Sequence, residues 1–180
     1  VALKNVGFSF GYQETAWTKI ELAGETEIER AVVYIGSAEV GQGVHTVIAQ
    51  MAAQALNLPL ARVEVVASDT ATSPGSSGSA SASRTTFMAG NAVRGAAQAA
   101  LARWQREERP AVAAYTYHAP KTTPFDPETG HGVPNLAYGY AAEAVTVDVD
   151  LETGALAVRR VVCADDVGQA INPQQVEGQI

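Results

Sequence analysis

Residues 76–105 read SSGSASASRTTFMAGNAVRGAAQAALARWQ. The first nine, Ser76 to Arg84, hold five serines and no apolar side chain larger than Ala. Read alone, they form a linker. From about Thr86 to Gln105 the character changes at once. Ala89, Ala92, Val93, Ala96, Ala97, Ala100, Leu101 and Trp104 recur at three- and four-residue spacing, which predicts an amphipathic helix. A face so rich in Ala lets a helix sit close on a sheet. The remaining question is whether the polar stretch before it is a hinge or a cradle for something charged.

Working outward, the other elements fall around this helix. Thr26 to Ile35 (TEIERAVVYI) mixes β-branched and polar residues and ends at Gly36, which predicts a strand. After Gly41-Gln42-Gly43, the residues Val44, Val47, Ile48, Met51, Ala52, Ala55 and Leu56 predict a first helix, closed by Asn57 and Pro59. Arg62 to Ala67 reads as a short strand. Residues Ala119 to Pro134 carry four of the eight prolines and read as a loop. Tyr140 to Leu151 alternates, with Val145, Val147, Val149 and Leu151 on one face. Glu152-Thr153-Gly154 is a turn, and Ala155 to Ala164 returns as the partner strand. Asp165-Asp166 is expected to leave the sheet, and Asn172-Pro173 to cap and start a third helix. The expected fold is α+β: a two-layer α/β sandwich with a mixed sheet and helices packed on one face. It is one domain or two small lobes, about 1–118 and 135–180, joined by the Pro-rich loop.

Composition narrows the function. The chain has 180 residues, 47% of them hydrophobic and 17% charged, enough for a packed core. The formal net charge of −7, without a basic stripe, argues against a nucleic-acid partner. A single cysteine, Cys163, excludes an intrachain disulfide framework and a Cys-based cluster, and it reads as a packed thiol. No apolar run reaches the length of a membrane span. No secretory signal pattern opens the chain, so the expected compartment is the cytoplasm, with the periplasm as the alternative. The chain begins with Val1 and ends inside QQVEGQI, so it reads as a piece of a longer polypeptide.

Three polar, glycine-bearing turns stand at the starts of the three predicted helices: Val40–Thr46, Ser76–Thr86 and Asp165–Pro173. A helix N-terminus presents unpaired N–H groups and a partial positive charge, so it suits an anion when small residues allow approach. Each turn also reads as a plain tight connection. None is a P-loop, and none is a GxGxxG after a strand. Gln42 can both donate and accept hydrogen bonds, which suits a ligand with mixed polar edges. Arg84, in a first helical turn, opposes the dipole unless something anionic lies near. Asp165-Asp166 reads as a turn cap, not a metal site. His45 reads as a cap or a ligand contact, and His118 and His131 as solvated.

The run from EVGQGVHT through SASASRTTFMAGNAVRGAA, and the later run VDVDLETGALAVRRVVCADDVGQAINPQQVEGQI, resemble the molybdenum hydroxylases, the xanthine dehydrogenase and aldehyde oxidase family. The likeness spans about Lys4 to Ile180. Its motifs are GQGxxT, the Ser/Ala/Arg turn, DLETG and D-x-G-x-x-INP-x-x-x-x-GQ. It implies part of the large subunit that binds the molybdenum cofactor, a molybdopterin that in some members is extended to the cytosine dinucleotide. It also implies hydroxylation of an aldehyde or N-heterocycle carbon, with oxygen from water and two electrons passing to molybdenum. The rest of the large subunit, [2Fe–2S] clusters and FAD are then expected on other domains or subunits. By the family pattern, Gln42 hydrogen-bonds the cofactor between Gly41 and Gly43. Ala82, Ser83, Arg84 and Thr85 supply donors to its phosphate portion, and Gln179 lies near the pterin. Those turns are expected to be open to water and mobile without the cofactor.

The family's catalytic glutamate sits in a GxGE-type motif, and its GGQ-type segment is also missing from these residues. No residue is therefore assigned as catalytic or as a metal ligand, and Glu39 is expected to cap or orient the first turn. The chain alone is expected to be inactive. The alternative is a non-catalytic binding or scaffold domain that keeps the fold and holds no cofactor.

Overall fold

The computed structural model describes residues 2–6, by backbone alone, 12–73 and 75–180. They divide into two compact units, Gly7–Pro134 and the pairing of Val1–Val6 with Asn135–Ile180.

The Gly7–Pro134 unit contains a four-stranded sheet. Its strands are β2 (Thr15–Ala23), β3 (Arg30–Ile35), β4 (Val63–Ala67) and β5 (Ala111–His118), in the order β4-β3-β2-β5. β3 and β4 are parallel, and the other pairs are antiparallel, so the sheet is mixed. A parallel pair needs a crossover. Here it is α1 (Val44–Leu56), followed by a 3-10 turn at Leu60–Arg62. The second helix, α2 (Arg84–Trp104), connects β4 to β5. Both helices pack on one face of the sheet, and the α+β sandwich expected from the sequence is the one found.

The core lies between these layers. Ile20, Leu22, Val33 and Ile35 meet Ile48 and Leu56 of α1 and Val93, Ala96 and Ala100 of α2. Small residues set the spacing. A side chain at Gly90 would run into Met51, and one at Gly95 into Tyr115. Gly43 opens α1 in the left-handed region at φ 78°, and Asn57 closes it at φ 55°. These conformations suit Gly and Asn best.

The structure differs from the sequence reading in several places. α2 begins at Arg84, two residues early, because the backbone turns at Ala82 and Ser83 (φ 52° and 58°). The strand expected from Thr26 begins at Arg30. The residues before it form a turn that Glu29 closes by donating to Ala23 O at 2.9 Å. β2 and β5 have no counterpart in that reading. In β2 the buried set is Ala16, Thr18, Ile20 and Leu22, and an outward Trp17 blurs its alternation.

The other unit is a three-stranded antiparallel sheet in the order β1-β6-β7, from β1 (Ala2–Val6), β6 (Ala137–Val149) and β7 (Leu156–Asp166). Asp165 and Asp166 do not leave the sheet. They pair with Ala141 and Tyr140 at the end of β7. The hairpin turn is held by Asp150, whose Oδ1 accepts from Glu152 N at 2.8 Å and Thr153 N at 3.3 Å. The register shifts between Thr146 and Val147, leaving Arg159 as the extra residue of β7. That bulge keeps Leu156, Val158 and Val161 on the face of Val145, Val147 and Val149. The short α3 (Pro173–Glu177) is capped by Asn172, which accepts from Gln175 N at 3.1 Å.

Candidate functional site

β3 and β4 run in parallel, so their C-terminal ends leave the sheet at one edge. The connection from β3 leads to the start of α1, and that from β4 to the start of α2. Ligands of α/β sheets gather at such edges, outside the carboxyl ends of strands.

At the start of α1 the chain forms a small nest. Gly41 and Gly43 take φ 101° and 78°. Their N–H groups point to one carboxylate oxygen, Glu39 Oε1, which accepts from Gly41 N and Gly43 N at 2.9 Å each. Glu39 Oε2 accepts from His45 N at 3.2 Å. The N–H of Gly43, then those of His45 and Gly41, hold the Glu39 carboxyl below the usual carboxylate range. Gln42 folds back on the same loop. Its Oε1 accepts from Val40 N at 2.7 Å, and its Nε2 donates to Ala38 O at 2.9 Å. His45 Nε2 donates to Ser37 O at 3.0 Å, and Ser68 Oγ donates to the same carbonyl at 2.9 Å. The anion in this nest is thus a side chain of the protein itself.

At the start of α2, the polar stretch is tied to the sheet. Gly36 and Ser76 form a parallel bridge, and Ser77 N donates to Gly36 O at 2.8 Å. The stretch then wraps the Arg84 guanidinium. Arg84 Nη1 donates to Ser77 O and, at 3.4 Å, to Ser79 O. Gly78, at φ 75°, lies beside it, and a Cβ there would sit 2.9 Å from both terminal nitrogens. The anion that the sequence demanded near Arg84 is Glu14, just before β2, which accepts from Arg84 Nε. The two side chains are 6% and 1% exposed. Ala82 and Ser83 face solvent, and Ser83 makes no side-chain capping bond. Thr85 is 4% exposed, and its hydroxyl has no hydrogen-bond partner among the described residues.

Of the residues singled out from sequence, Gly41, Gln42, Gly43, Ala82, Ser83, Arg84 and Thr85 thus stand at the starts of two neighbouring helices in one unit. Gln179 lies in the other unit, exposed beyond α3, with its N–H donating to Val176 O at 3.0 Å. Among the described residues no group of His, Cys, Asp or Glu could hold a metal ion. Glu14 was missed from sequence. An acidic residue 70 positions from its partner leaves no periodic or motif signal.

A family model described as the molybdopterin cofactor-binding domain matches residues 1–112 and 102–180. The chain belongs to this family. Among relatives of this molybdopterin cofactor-binding domain is the 6-hydroxypseudooxynicotine dehydrogenase complex subunit gamma of Paenarthrobacter nicotinovorans. It is 29% identical over 204 residues, covering 94% of the chain and 25% of the relative. Xanthine dehydrogenase of Oryza sativa subsp. japonica is 31% identical over 163 residues, covering 81% and 12%. The solved aldehyde oxidoreductase of Desulfovibrio desulfuricans superposes with a TM-score of 0.76 at 25% identity, covering 98% of the chain and 20% of that structure. The chain therefore spans a quarter or less of the length of these relatives.

The domain's residues fit a phosphate-bearing cofactor at the start of α2. There a buried, unpartnered Thr85 hydroxyl lies under an exposed turn with no side-chain cap. Among the described residues the hydroxyls of Thr18, Ser37 and Ser77 are buried without a partner as well, but that of Thr85 stands in the first turn of α2, where a bound polar group would satisfy it. At the start of α1 the fit requires Gln42 to exchange its bonds to Ala38 and Val40 for bonds to the cofactor.

Proposed function

We propose that this domain is the cofactor-holding part of a molybdenum hydroxylase that oxidises an aldehyde or an N-heterocycle. Gly41, Gln42 and Gly43 at α1, and Ala82, Ser83 and Thr85 at α2, contact the cofactor. Arg84 serves from behind, because its guanidinium is committed to Glu14, Ser77 and Ser79. Held there, the cofactor would supply a two-electron acceptor for oxidation of the substrate carbon, with water as the source of oxygen. The domain's part is to bind and orient it. Glycines at φ 101° and 78° bring backbone close, and Gln42 offers one donor and one acceptor to a polar ring edge. The reading places the remaining large-subunit residues, the [2Fe–2S] clusters and FAD on other segments or subunits, in the cytoplasm. The cofactor is the pterin itself or its cytosine dinucleotide form, and the mass of the released cofactor distinguishes them.

The observation that carries this reading is the orphaned Thr85 hydroxyl at the open start of α2. The test is Thr85→Val, which keeps the shape and removes the hydroxyl. An unpaired buried hydroxyl contributes nothing to folding, so the melting temperature holds or rises. Molybdenum and pterin per chain fall if the hydroxyl serves the cofactor. Unchanged content in both Thr85→Val and Gln42→Ala would refute the assignment.

A second reading, a domain that retains the fold without the cofactor, is favoured by the internal satisfaction of Glu39 and Gln42. It expects no molybdenum in the purified wild-type protein.

A further inference from the structure

We propose that Glu14 is a positioning residue for the cofactor-binding turn of α2, acting through Arg84. The inference rests on the reading above, that this turn serves the cofactor.

Arg84 carries a fixed positive charge at the first position of a 21-residue helix, where the helix dipole opposes it. It is also almost fully buried. A buried cation without an anion is strongly unfavourable, so the guanidinium goes where the carboxylate is. Glu14 supplies that carboxylate from the residue ahead of β2, whose strand is locked between β3 and β5. Ala119 N donates to the Glu14 carbonyl at 2.9 Å, which fixes its backbone as well. Glu14 is thus anchored next to the sheet, and the Ser/Gly stretch, which is bonded to Gly36 at Ser76 and Ser77, meets that anchor through Arg84.

The guanidinium is planar with five donors in a fixed fork, so holding it at Nε aims the remaining N–H groups. Of these, Nη1 donates to the carbonyls of Ser77 and Ser79, and Gly78 lies so close that a Cβ there would press on the group. Three consecutive residues of the loop are thus shaped on one cation. The loop then runs through Ala80 and Ser81 into the left-handed pair Ala82–Ser83, and Ser81 O accepts from Arg84 N at 2.9 Å. Glu14 thereby sets the position of the backbone that Ala82, Ser83 and Thr85 present. A buried ion pair adds little net stability over a well-packed apolar pair. What it supplies here is geometry, which an apolar pair lacks.

The test uses the assembled enzyme and reads molybdenum and pterin per folded chain together with the melting temperature. Glu14→Gln keeps the shape but frees Arg84 from its counter-charge, and cofactor content is expected to fall about tenfold, as on loss of an orienting partner behind a ligand. Val93→Ala, a core truncation away from the turn, lowers the melting temperature while folded chains keep their cofactor. If Glu14→Gln does not fold, Glu14→Asp decides. It keeps the charge but draws it back by one methylene, and content is expected to fall several-fold with melting close to wild type. Wild-type or higher content in whichever variant folds would overturn the proposal, because the turn would then hold the cofactor without an intact Glu14. So would content that follows melting temperature along the line set by Val93→Ala. Retained cofactor in Thr85→Val and Gln42→Ala would instead mark failure of the underlying reading.

Discussion

The carboxylate of Glu39 and the amide of Gly43 meet at 2.9 Å across the turn that opens α1. Gly41 N donates to the same oxygen at the same distance, and His45 N to its neighbour. A nest of N–H groups at a helix start attracts an anion, and here the chain supplies one from two residues upstream of the first glycine. The turn is preformed by its own carboxylate. Gln42, with both ends of its amide bonded to Ala38 and Val40, is preformed with it.

Replacing Glu39 with Gln therefore loosens the start of α1. A carboxylate oxygen accepts several N–H bonds at once, whereas an amide offers one accepting oxygen and a donor that the nest rejects. Thermal melts of Glu39→Gln are expected to lie below wild type at neutral pH. The pH dependence follows from the lowered pKa of Glu39. A group whose folded pKa is depressed stabilises the fold above its unfolded pKa and loses that contribution as pH falls through the folded one. The gap between the two melting curves is expected to close below the ordinary carboxylate range. A gap that persists there would show that the charge of Glu39 is not its source.

The Ala stripe of α2 makes a separate prediction. Ala96 is fully buried against the sheet, while Gln98 on the same helix is exposed. Ala96→Leu forces side chain into a filled layer and is expected to cost about 1–3 kcal/mol. Gln98→Ala is expected to stay within about 0.5 kcal/mol of wild type. Urea denaturation reads both. Equal effects would mean that α2 does not rest on its Ala face.

Both helices and their buried faces were legible because a long 3.6-residue period survives in Val44–Leu56 and Ala89–Trp104. The hairpin was legible from its alternating valines and the Glu152-Thr153-Gly154 turn. β2 was not, because Thr18 and Ala16 point inward while Trp17 points outward, reversing the expected sense of the pattern. The glycine-bearing turns were found, but not what fills them. That Arg84 needs an anion follows from dipole and charge alone. That the anion is Glu14 follows only once β2 and α2 are packed together. Composition alone makes Ser76–Arg84 a linker, and the bridge to Gly36 and the wrapping of Arg84 by Ser77 and Ser79 appear only once the chain is folded.

Two glycines separate backbone strain from collision. Gly41 and Gly78 both take positive φ, at 101° and 75°. A Cβ at Gly41 would meet nothing within 4 Å, whereas one at Gly78 would press on the Arg84 guanidinium at 2.9 Å. Gly41→Ala is expected to cost about 1–2 kcal/mol from conformation alone. Gly78→Ala adds to a similar strain the displacement of Arg84, and a total of roughly 2–4 kcal/mol follows from the two effects together. Chemical denaturation of the two variants side by side checks the order. A smaller loss at Gly78 would show that the guanidinium yields freely, against the wrapped geometry of Ser77–Ser79.

Cys163 lies in β7 opposite Glu143 and two residues before Asp165. Burial first, then the charges of Glu143 and Asp165, pushes its thiol pKa above the ordinary value. The thiolate is the nucleophile, so a raised pKa lowers its population at neutral pH. Alkylation of Cys163 by iodoacetamide between pH 7 and pH 8 is expected to run slower than that of a free thiol. Glu143→Gln removes one of the opposing charges, which draws the pKa down and speeds the reaction. Because burial is the larger cause, the rate is expected to rise without reaching that of the free thiol. A Cys163 that reacts as fast as free thiol in the wild-type protein would contradict the half-buried setting of the side chain.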